Sequence, residues 1–248
     1  CWSGQAPGGR RGALAAAAAA ALAVGSKDAE AFPNAARIYK RDINDPKRPG
    51  PMPGDLGLME RLGQPESCLK ECDNTPNCFS TTVKELDVGL HDLTPWKFTG
   101  KTSAEAIKDV TEAINAYEPG QQGIDGGGFA IKESTDSFVY TQFESLRRGH
   151  IDDVEFFVKP GSDPDAKEGA LFVRSSSRTG FYDFGVNAMR LNTLSDWLVK
   201  KGGWEVPRIT AKTHPRYWGY NCDGGNGRKA PFNVEDRWPE MCTDIPRV

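Results

Sequence analysis

Acidic and basic residues cluster around two apolar runs in the middle of the chain, where carboxylates could perform acid–base chemistry. The cluster consists of Asp152, Asp153, Glu155, Arg174, Arg178, Asp183 and Arg190. Side chains alternate between the two faces of a strand, so Asp153 and Glu155 share one face. Paired carboxylates act as acid and base, or bind a hard cation, when burial shifts the pKa of one of them. Arg174 and Arg178 are also placed to form bidentate ion pairs with these acids, and we favour this structural interpretation over catalysis.

The loop after the second apolar run offers a different chemistry, the binding of an anion. Hydroxyl, guanidinium and backbone amide groups stand there just before a predicted helix start, a position where anions are commonly bound. The candidate residues are Ser175, Ser177, Arg178 and Gly180. No Gly-x-Ser-x-Gly motif surrounds the serines, which argues against a serine nucleophile. We predict no catalytic residue and no cofactor.

Cysteines offer either disulfide or metal chemistry. Five remain if a leader containing Cys1 is removed, namely Cys68, Cys72, Cys78, Cys222 and Cys242. An exported compartment permits disulfides, and an odd number leaves at least one thiol outside them. The Cys-x3-Cys-x5-Cys spacing is uncommon for zinc and no histidine lies nearby, so we predict no metal. We expect at least one disulfide to include Cys222 or Cys242. The tail is glycine-rich and helix-poor, so it has too little regular structure to be stable without a covalent cross-link.

The elements that must position these residues follow from the hydrophobic pattern. Apolar runs at Val154–Lys159 and Ala170–Ser175 predict two strands, a hairpin is predicted before them, and Trp96–Phe98 is predicted as a short edge strand. A T-x-x-E capping box at Thr102 opens one helix, and a second is predicted over 186–200. Hairpin-length connections join antiparallel strands. We therefore predict an α+β fold with a mainly antiparallel sheet of about four or five strands packed by two main helices, and long irregular N- and C-terminal extensions.

Four sequence blocks occur in a characteristic order within this central region. They are Thr75-Pro-Asn-Cys78, Ile151-Asp-Asp-Val-Glu-Phe156, Val173-Arg-Ser-Ser-Ser-Arg-Thr-Gly180 and Asp183-Phe-Gly-Val-Asn187. Together they resemble the family catalogued as domain of unknown function 1499, over roughly Glu66 to Lys201. The resemblance implies a small α+β domain that occurs in bacteria and in plastid-bearing organisms and has no established reaction.

The first 31 residues have the pattern of a targeting segment. Arg10-Arg11 precedes an alanine-rich apolar run over 13–24, and Ala29-Glu-Ala31 supplies small residues for a signal peptidase. The run is shorter than the roughly 20 residues that a membrane-spanning helix needs. Paired arginines before such a run are typical of twin-arginine signals. We expect cleavage before Phe32 and a mature chain without a transmembrane helix, and the missing initiator Met suggests further sequence upstream.

The remaining chain divides by composition. We assign 1–31 to the targeting segment, 32–65 to a proline-rich arm, 66–201 to the domain that resembles the family, and 202–248 to a tail rich in glycine and tryptophan. Within the arm, 56–62 is predicted as a short helix. In the tail, aromatic residues are expected partly to pack on the domain and partly to contact a partner. Acidic and basic totals of 34 and 31 give a net charge of -3, which makes nucleic acid an unsuitable partner.

These patterns predict a non-catalytic accessory subunit that stabilises a photosynthetic membrane complex, a photosystem, through its lumenal face. The expected location is the thylakoid lumen of a plastid, with the bacterial periplasm or another exported compartment as the alternative. Two other functions stay open at this point. One is a lumenal binding module for a small apolar or anionic ligand. The other is an enzyme that uses Asp153, Glu155 and Arg174.

Overall fold

The computed structural model describes residues 32–36, 46–61, 64–82, 89–159, 163, 165–222 and 239–242. The predicted targeting segment, 1–31, lies outside these residues, as does the glycine-rich stretch at 224–227. Within the part of the chain that is described, no helix is long and apolar enough to cross a membrane.

The described part of the chain contains nine strands. They are β1 Met59–Arg61, β2 Gln64–Cys68, β3 Cys78–Ser80, β4 Trp96–Thr99, β5 Gly128–Ser134, β6 Phe138–Glu144, β7 Ile151–Val158, β8 Glu168–Ser177 and β9 Trp204–Glu205. Seven of them form the main sheet, in the order β5-β6-β7-β8-β4-β9, with β3 also paired to β8, and β1 and β2 form a separate two-stranded sheet. Every pairing of these strands is antiparallel.

The predicted α+β architecture, with a mainly antiparallel sheet and two principal helices, is confirmed. The sheet is larger than four or five strands because β3 and β9 join it, and segments of 3 and 2 residues are too short to give an alternating pattern. The prediction that β4 forms an edge was wrong. Strand β4 lies between β8 and β9, since Phe98 faces Gly169 on one side and Trp204 on the other.

Helix α1, Ser103–Asn115, starts at the predicted capping box. Thr102 Oγ1 accepts a hydrogen bond from the Glu105 amide at 3.3 Å, and the Glu105 carboxylate accepts one from the Thr102 amide at 2.7 Å. Both reciprocal bonds satisfy amides that a helix start leaves without partners. The helix buries Ile107 and Val110 against one face of the sheet.

Helix α2, Val186–Lys201, packs beside α1 on the same side of the sheet, and we call this side the inner face. Leu191, Leu194 and Leu198 are buried in the common core. The helix ends at Gly202, whose amide donates to the carbonyls of Leu198 and Val199. The outer face of β6, β7 and β8 carries a smaller apolar cluster, which we call the outer apolar cluster. Its members are Leu69, Phe138, Tyr140 and Phe157, with Leu56 and Phe172 packed against them.

The segment after α2 contributes to the same core. It forms helices α3, Pro215–Cys222, and α4, Pro239–Cys242, so the expectation of a helix-poor tail was wrong for these residues. Tyr217 and Trp218 are completely buried, in agreement with the prediction that some tail aromatics pack on the domain. Burial of two large aromatic side chains stabilises a helix too short to be stable alone.

Two disulfides are present among the described residues. Cys222–Cys242 joins α3 to α4 across 20 residues, which confirms the predicted tie in the tail. Cys72–Cys78 closes a short loop before β3. Cys68 is buried and lies outside both disulfides. The chain-entropy model assigns about 3 kcal/mol to the closure of a loop as long as that between α3 and α4.

The proline-rich arm is described at 32–36 and 46–61, and we use the term arm for 46–61 from here on. It runs along the outer face without regular structure until β1. The predicted short helix at 56–62 was therefore wrong over its described residues. Met59–Arg61 pairs with β2 instead, which satisfies the backbone through a ladder rather than through a helical turn.

Candidate functional site

Strand alternation divides the predicted charge cluster between the two faces of the sheet. In β7, Asp152 points to the inner face, whereas Asp153 and Glu155 point to the outer face. The register places Glu155 directly opposite Arg174 on β8. The inner group contains Asp152, Asp183 and Arg190, and the outer group contains Asp153, Glu155, Arg174 and Arg178. The seven residues thus form two sites on opposite sides of one sheet.

The inner group is organised around Arg190, which is completely buried. Its Nε and Nη2 donate to the carboxylate of Asp125 at 2.8 and 2.5 Å, and Nη2 also donates to Asp152 at 2.7 Å. Its Nη1 donates to Asn187 Oδ1 at 2.8 Å and to Ser175 Oγ at 3.4 Å. A guanidinium group has five N–H donors, and the five hydrogen bonds use all of them.

Two neighbouring carboxylates balance the buried positive charge of Arg190. Burial disfavours the charged guanidinium, but the carboxylates of Asp125 and Asp152 outweigh this, and the pKa of Arg190 lies well above its usual value. The guanidinium carbon also lies 4.7 Å from the centre of the Phe143 ring, a cation–π distance. These contacts link α2 to β6, β7 and the loop before β5.

Asp183 connects the loop before α2 to the tail. The Tyr217 hydroxyl donates to its two carboxylate oxygens at 2.7 and 2.9 Å, and the Asn187 backbone and side-chain N–H groups donate to Oδ2 at 3.0 and 2.7 Å. The Gly185 amide donates to Oδ1 at 3.1 Å. Complete burial nevertheless raises the pKa of Asp183 to about 6, because the hydrogen bonds offset only part of the desolvation of the charge.

We expect Asp183→Asn to change how stability depends on pH. The pKa rises from 3.8 to about 6 on folding, so the folded chain keeps a proton that the unfolded chain releases. This contribution to stability is fully present below pH 3.8 and is lost as the pH rises through about 6. The unfolding free energy of the parent minus that of the variant should fall by about 3 kcal/mol between about pH 4 and 7.

Chemical denaturation at several pH values measures this difference. Asp136→Asn is the matched control, because Asp136 is exposed in the turn between β5 and β6. It makes the same substitution at an exposed position and should leave the stability close to that of the parent. A stability difference between the parent and Asp183→Asn that does not change with pH would contradict the raised pKa of Asp183.

The outer group consists of two ion pairs. Arg178 donates from Nε and Nη2 to the carboxylate of Asp153 at 2.8 and 2.7 Å. Arg174 Nη1 donates to Glu155 Oε2 at 3.1 Å. Arg178 and Asp153 thus form a bidentate pair, whereas Arg174 and Glu155 share one hydrogen bond. Tyr140 adds a hydrogen bond to Asp153 at 2.6 Å.

Burial shifts the acid–base properties of the outer group. It raises the pKa of Glu155, although Arg174 partly offsets the effect. Burial, together with the hydrogen bond to Asp153, raises the pKa of Tyr140 to about 12. For Arg178 the neighbouring Asp153 carboxylate outweighs burial, which alone would lower the pKa, and the net pKa is raised. The arrangement favours a fixed ion-pair network over an exchange of protons.

The residues of the predicted anion site do not converge. Ser175 and Ser177 lie on the inner side, where Ser175 donates to Asn187 Oδ1 at 2.5 Å and Ser177 accepts from Asn187 Nδ2 at 3.0 Å. Arg178 points to the outer face and is held by Asp153. The Gly180 carbonyl accepts a hydrogen bond from Asn77 Nδ2. The prediction of one anion cradle was therefore wrong, because alternation at the end of β8 separates the serines from the arginine.

Sequence reasoning missed the partners that come from distant segments. Asp125 lies in a glycine-rich loop, 65 residues before Arg190, and its Oδ2 also accepts from the Tyr117 hydroxyl. Tyr217 lies 34 residues after Asp183. Neither stretch carries a periodic pattern that indicates a contact. Among the described residues, no group of three or more His, Cys, Asp or Glu side chains is placed to hold a metal ion.

Comparison with known proteins gives one match. No curated protein and no solved structure is significantly similar to this chain. A family model described as "Protein of unknown function (DUF1499)" matches residues 68–198, just over half of the chain. The matched residues contain the whole inner group, its partner Asp125 and the whole outer group. The chain therefore belongs to the family of unknown function DUF1499.

Proposed function

We propose that this protein is a non-catalytic accessory subunit of the thylakoid lumen. It attaches to the lumenal face of a photosynthetic membrane complex, such as a photosystem, and stabilises its assembly. The observation that carries the proposal is the internal pairing of the charge cluster. Asp153, Glu155 and Arg190 each bond to an oppositely charged side chain of the same domain. These groups connect strands and helices, a use that supports a structural role over one in catalysis.

An exported location has independent support. Disulfides persist in oxidising compartments and are rare in the cytosol, and the chain has Cys72–Cys78 and Cys222–Cys242. The twin-arginine-like pattern in 1–31 supports export, and a family that occurs in bacteria and in plastid-bearing organisms is compatible with the thylakoid lumen.

The described surface offers apolar side chains to a partner. Three of them, Met52, Leu58 and Met59, stand on the arm, and Phe181 and Tyr220 project from the region around α2 and α3. The exposed fraction of these side chains ranges from 37% for Met59 to 58% for Met52. Methionine and aromatic residues are enriched in protein interfaces, so these side chains favour a binding role.

Native separation after gentle detergent solubilisation tests the proposal. We expect the protein to migrate with an intact photosynthetic complex, and we expect its depletion to lower the yield of that complex. The purified protein, separated alone, is the control that marks the position of the free monomer. If the protein migrates only as a free monomer while the complexes remain intact without it, the accessory-subunit proposal fails and the ligand-binding alternative replaces it.

A further inference from the structure

The arm lies over the outer ion pairs as an extended segment that stays close to solvent. Most of its residues are exposed or half-buried, whereas Asp153 and Glu155 beneath it have exposed fractions of 1% and 0%. At its start, Lys47 forms an ion pair with Glu144 at 2.7 Å, and the Arg48 amide donates to the Arg148 carbonyl at 2.7 Å. The arm thus covers a charged surface and is held to it largely by polar contacts.

Three consecutive residues of the arm each contact a different kind of group on the outer face, namely a lysine, the outer apolar cluster and a carboxylate. The carboxylate of Asp55 lies 2.5 Å from Lys70 Nζ. Leu56 packs on the outer apolar cluster. The amide of Gly57 donates to Glu155 Oε1 at 2.5 Å. The surface therefore recognises a carboxylate, then an aliphatic side chain, then a backbone N–H.

The third position requires glycine for a conformational reason. Gly57 has φ of 88°, and an added Cβ would meet no atom within 4 Å. Space is thus available, but residues with a Cβ rarely adopt this φ. The three contacts of the arm therefore suit an acidic–aliphatic–glycine sequence, which is Asp-Leu-Gly at 55–57.

Arg174 has donors that the arm leaves unused. Its Nη1 binds Glu155, but its buried Nε has no hydrogen-bond partner among the described residues. Arg190, on the other side of the same sheet, uses all five of its donors. A buried donor without a partner is costly in a purely structural contact. The arm therefore fits this surface less completely than the interior fits Arg190.

We propose that the outer face beneath the arm is a groove for an extended acidic–aliphatic–glycine segment of a partner protein, and that the arm fills this groove until the partner segment displaces it. The inference rests on the proposed function, because the groove would be the site at which the accessory subunit binds its complex. The partner's carboxylate binds between Lys70 and Arg174. The displaced arm can then bind the partner through its exposed apolar side chains, Met52, Leu58 and Met59.

The attached arm is present at a high effective concentration, so it competes strongly with a free segment. The probe is a fluorescent peptide with the sequence of residues 51–59, added to the full chain. Leu56→Asp removes the aliphatic anchor of the attached arm and should lower the dissociation constant for the peptide by about tenfold or more relative to the parent. The same peptide with aspartate in place of its leucine at 56 should not bind.

Leu58→Asp is the matched control, since Leu58 is 40% exposed and lies outside the outer apolar cluster. This substitution introduces the same charge as Leu56→Asp, two residues away. The Leu58→Asp chain should therefore bind the peptide as weakly as the parent chain does. Adding Lys70→Ala to the Leu56→Asp chain should weaken peptide binding again. Equal binding by Leu56→Asp and Leu58→Asp would overturn the proposal.

Hydrogen exchange of the unmodified chain tests whether the arm can leave the groove, even if Leu56→Asp fails to fold. A displaceable arm opens without global unfolding, so amides of the arm such as Gly57 should exchange about 100-fold faster than those of β7. Equal rates would make the arm an integral part of the domain and overturn the groove. Because neither measurement contains a photosynthetic complex, peptide binding together with failed co-migration would reject the proposed function alone.

Discussion

Replacing Arg190 with methionine is expected to lower the free energy of unfolding by about 3 to 5 kcal/mol, the usual cost of breaking a buried ion pair from one side. The variant leaves the carboxylates of Asp125 and Asp152 without their cation. It also removes the donors that hold Asn187 Oδ1 and Ser175 Oγ. Methionine fills most of the volume, so the loss reports the charge and the hydrogen bonds rather than a cavity. Urea or thermal denaturation of the purified chain measures it.

Arg208→Met is the matched control for Arg190→Met. Arg208 pairs with Asp196 at the surface, where the two side chains are 47% and 55% exposed. Exposed pairs contribute roughly 0 to 1 kcal/mol, so this variant should resemble the parent. Adding Asp125→Asn and Asp152→Asn to Arg190→Met should recover part of the lost stability, because it removes the charges left behind. Similar stabilities for Arg190→Met and Arg208→Met would refute the central role of Arg190.

The second large effect is expected for Arg174→Ala, at about 3 to 5 kcal/mol. Glu155, which is completely buried, then keeps the Gly57 amide but loses its positive partner. The pKa of Glu155 is already raised by burial, and loss of Arg174 raises it further. Since a raised folded-state pKa contributes stability at low pH that is lost as the pH rises, the variant should be less destabilised near pH 4 than near pH 7.

The double variant Arg174→Met/Glu155→Leu separates a structural role from a catalytic one. A hydrophobic replacement of a whole buried ion pair is often neutral or stabilising. The double variant should therefore be more stable than Arg174→Ala alone at pH 7. An Arg174→Ala chain that unfolds like the parent and yet loses a measurable activity would favour the enzyme alternative instead.

The fold was largely predictable because its main elements carry strong local signals. The capping box at Thr102 and the alternation in β7 each specify one structure within a short window. The outer ion pairs were also accessible, since Glu155 and Arg174 lie on consecutive strands whose antiparallel pairing brings them together. Local periodicity and strand order sufficed at these positions.

The distant partners of the inner group were not predictable, for the opposite reason. Asp125 reaches Arg190, and Tyr217 reaches Asp183, only after distant loops and helices have packed. Their own neighbourhoods are glycine-rich or too short for a periodic pattern. The split of the predicted anion site has a similar origin, because the side to which Arg178 points depends on where β8 ends. Such contacts are properties of tertiary packing and leave no local signature in the sequence.

Strand β8 has a consequence for the order in which the chain folds. Strands β5 to β8 follow one another as a meander, with each strand paired to the next. Strands β3 and β4, by contrast, come early in the chain, and both pair with β8, the last strand of the meander. Thr81, which follows β3, is 92 residues from its hydrogen-bond partner Val173. Closing such long loops is slow. We expect the meander to form first. Strands β3 and β4 are synthesised before their partner β8, so they cannot pair with it until synthesis has passed residue 177.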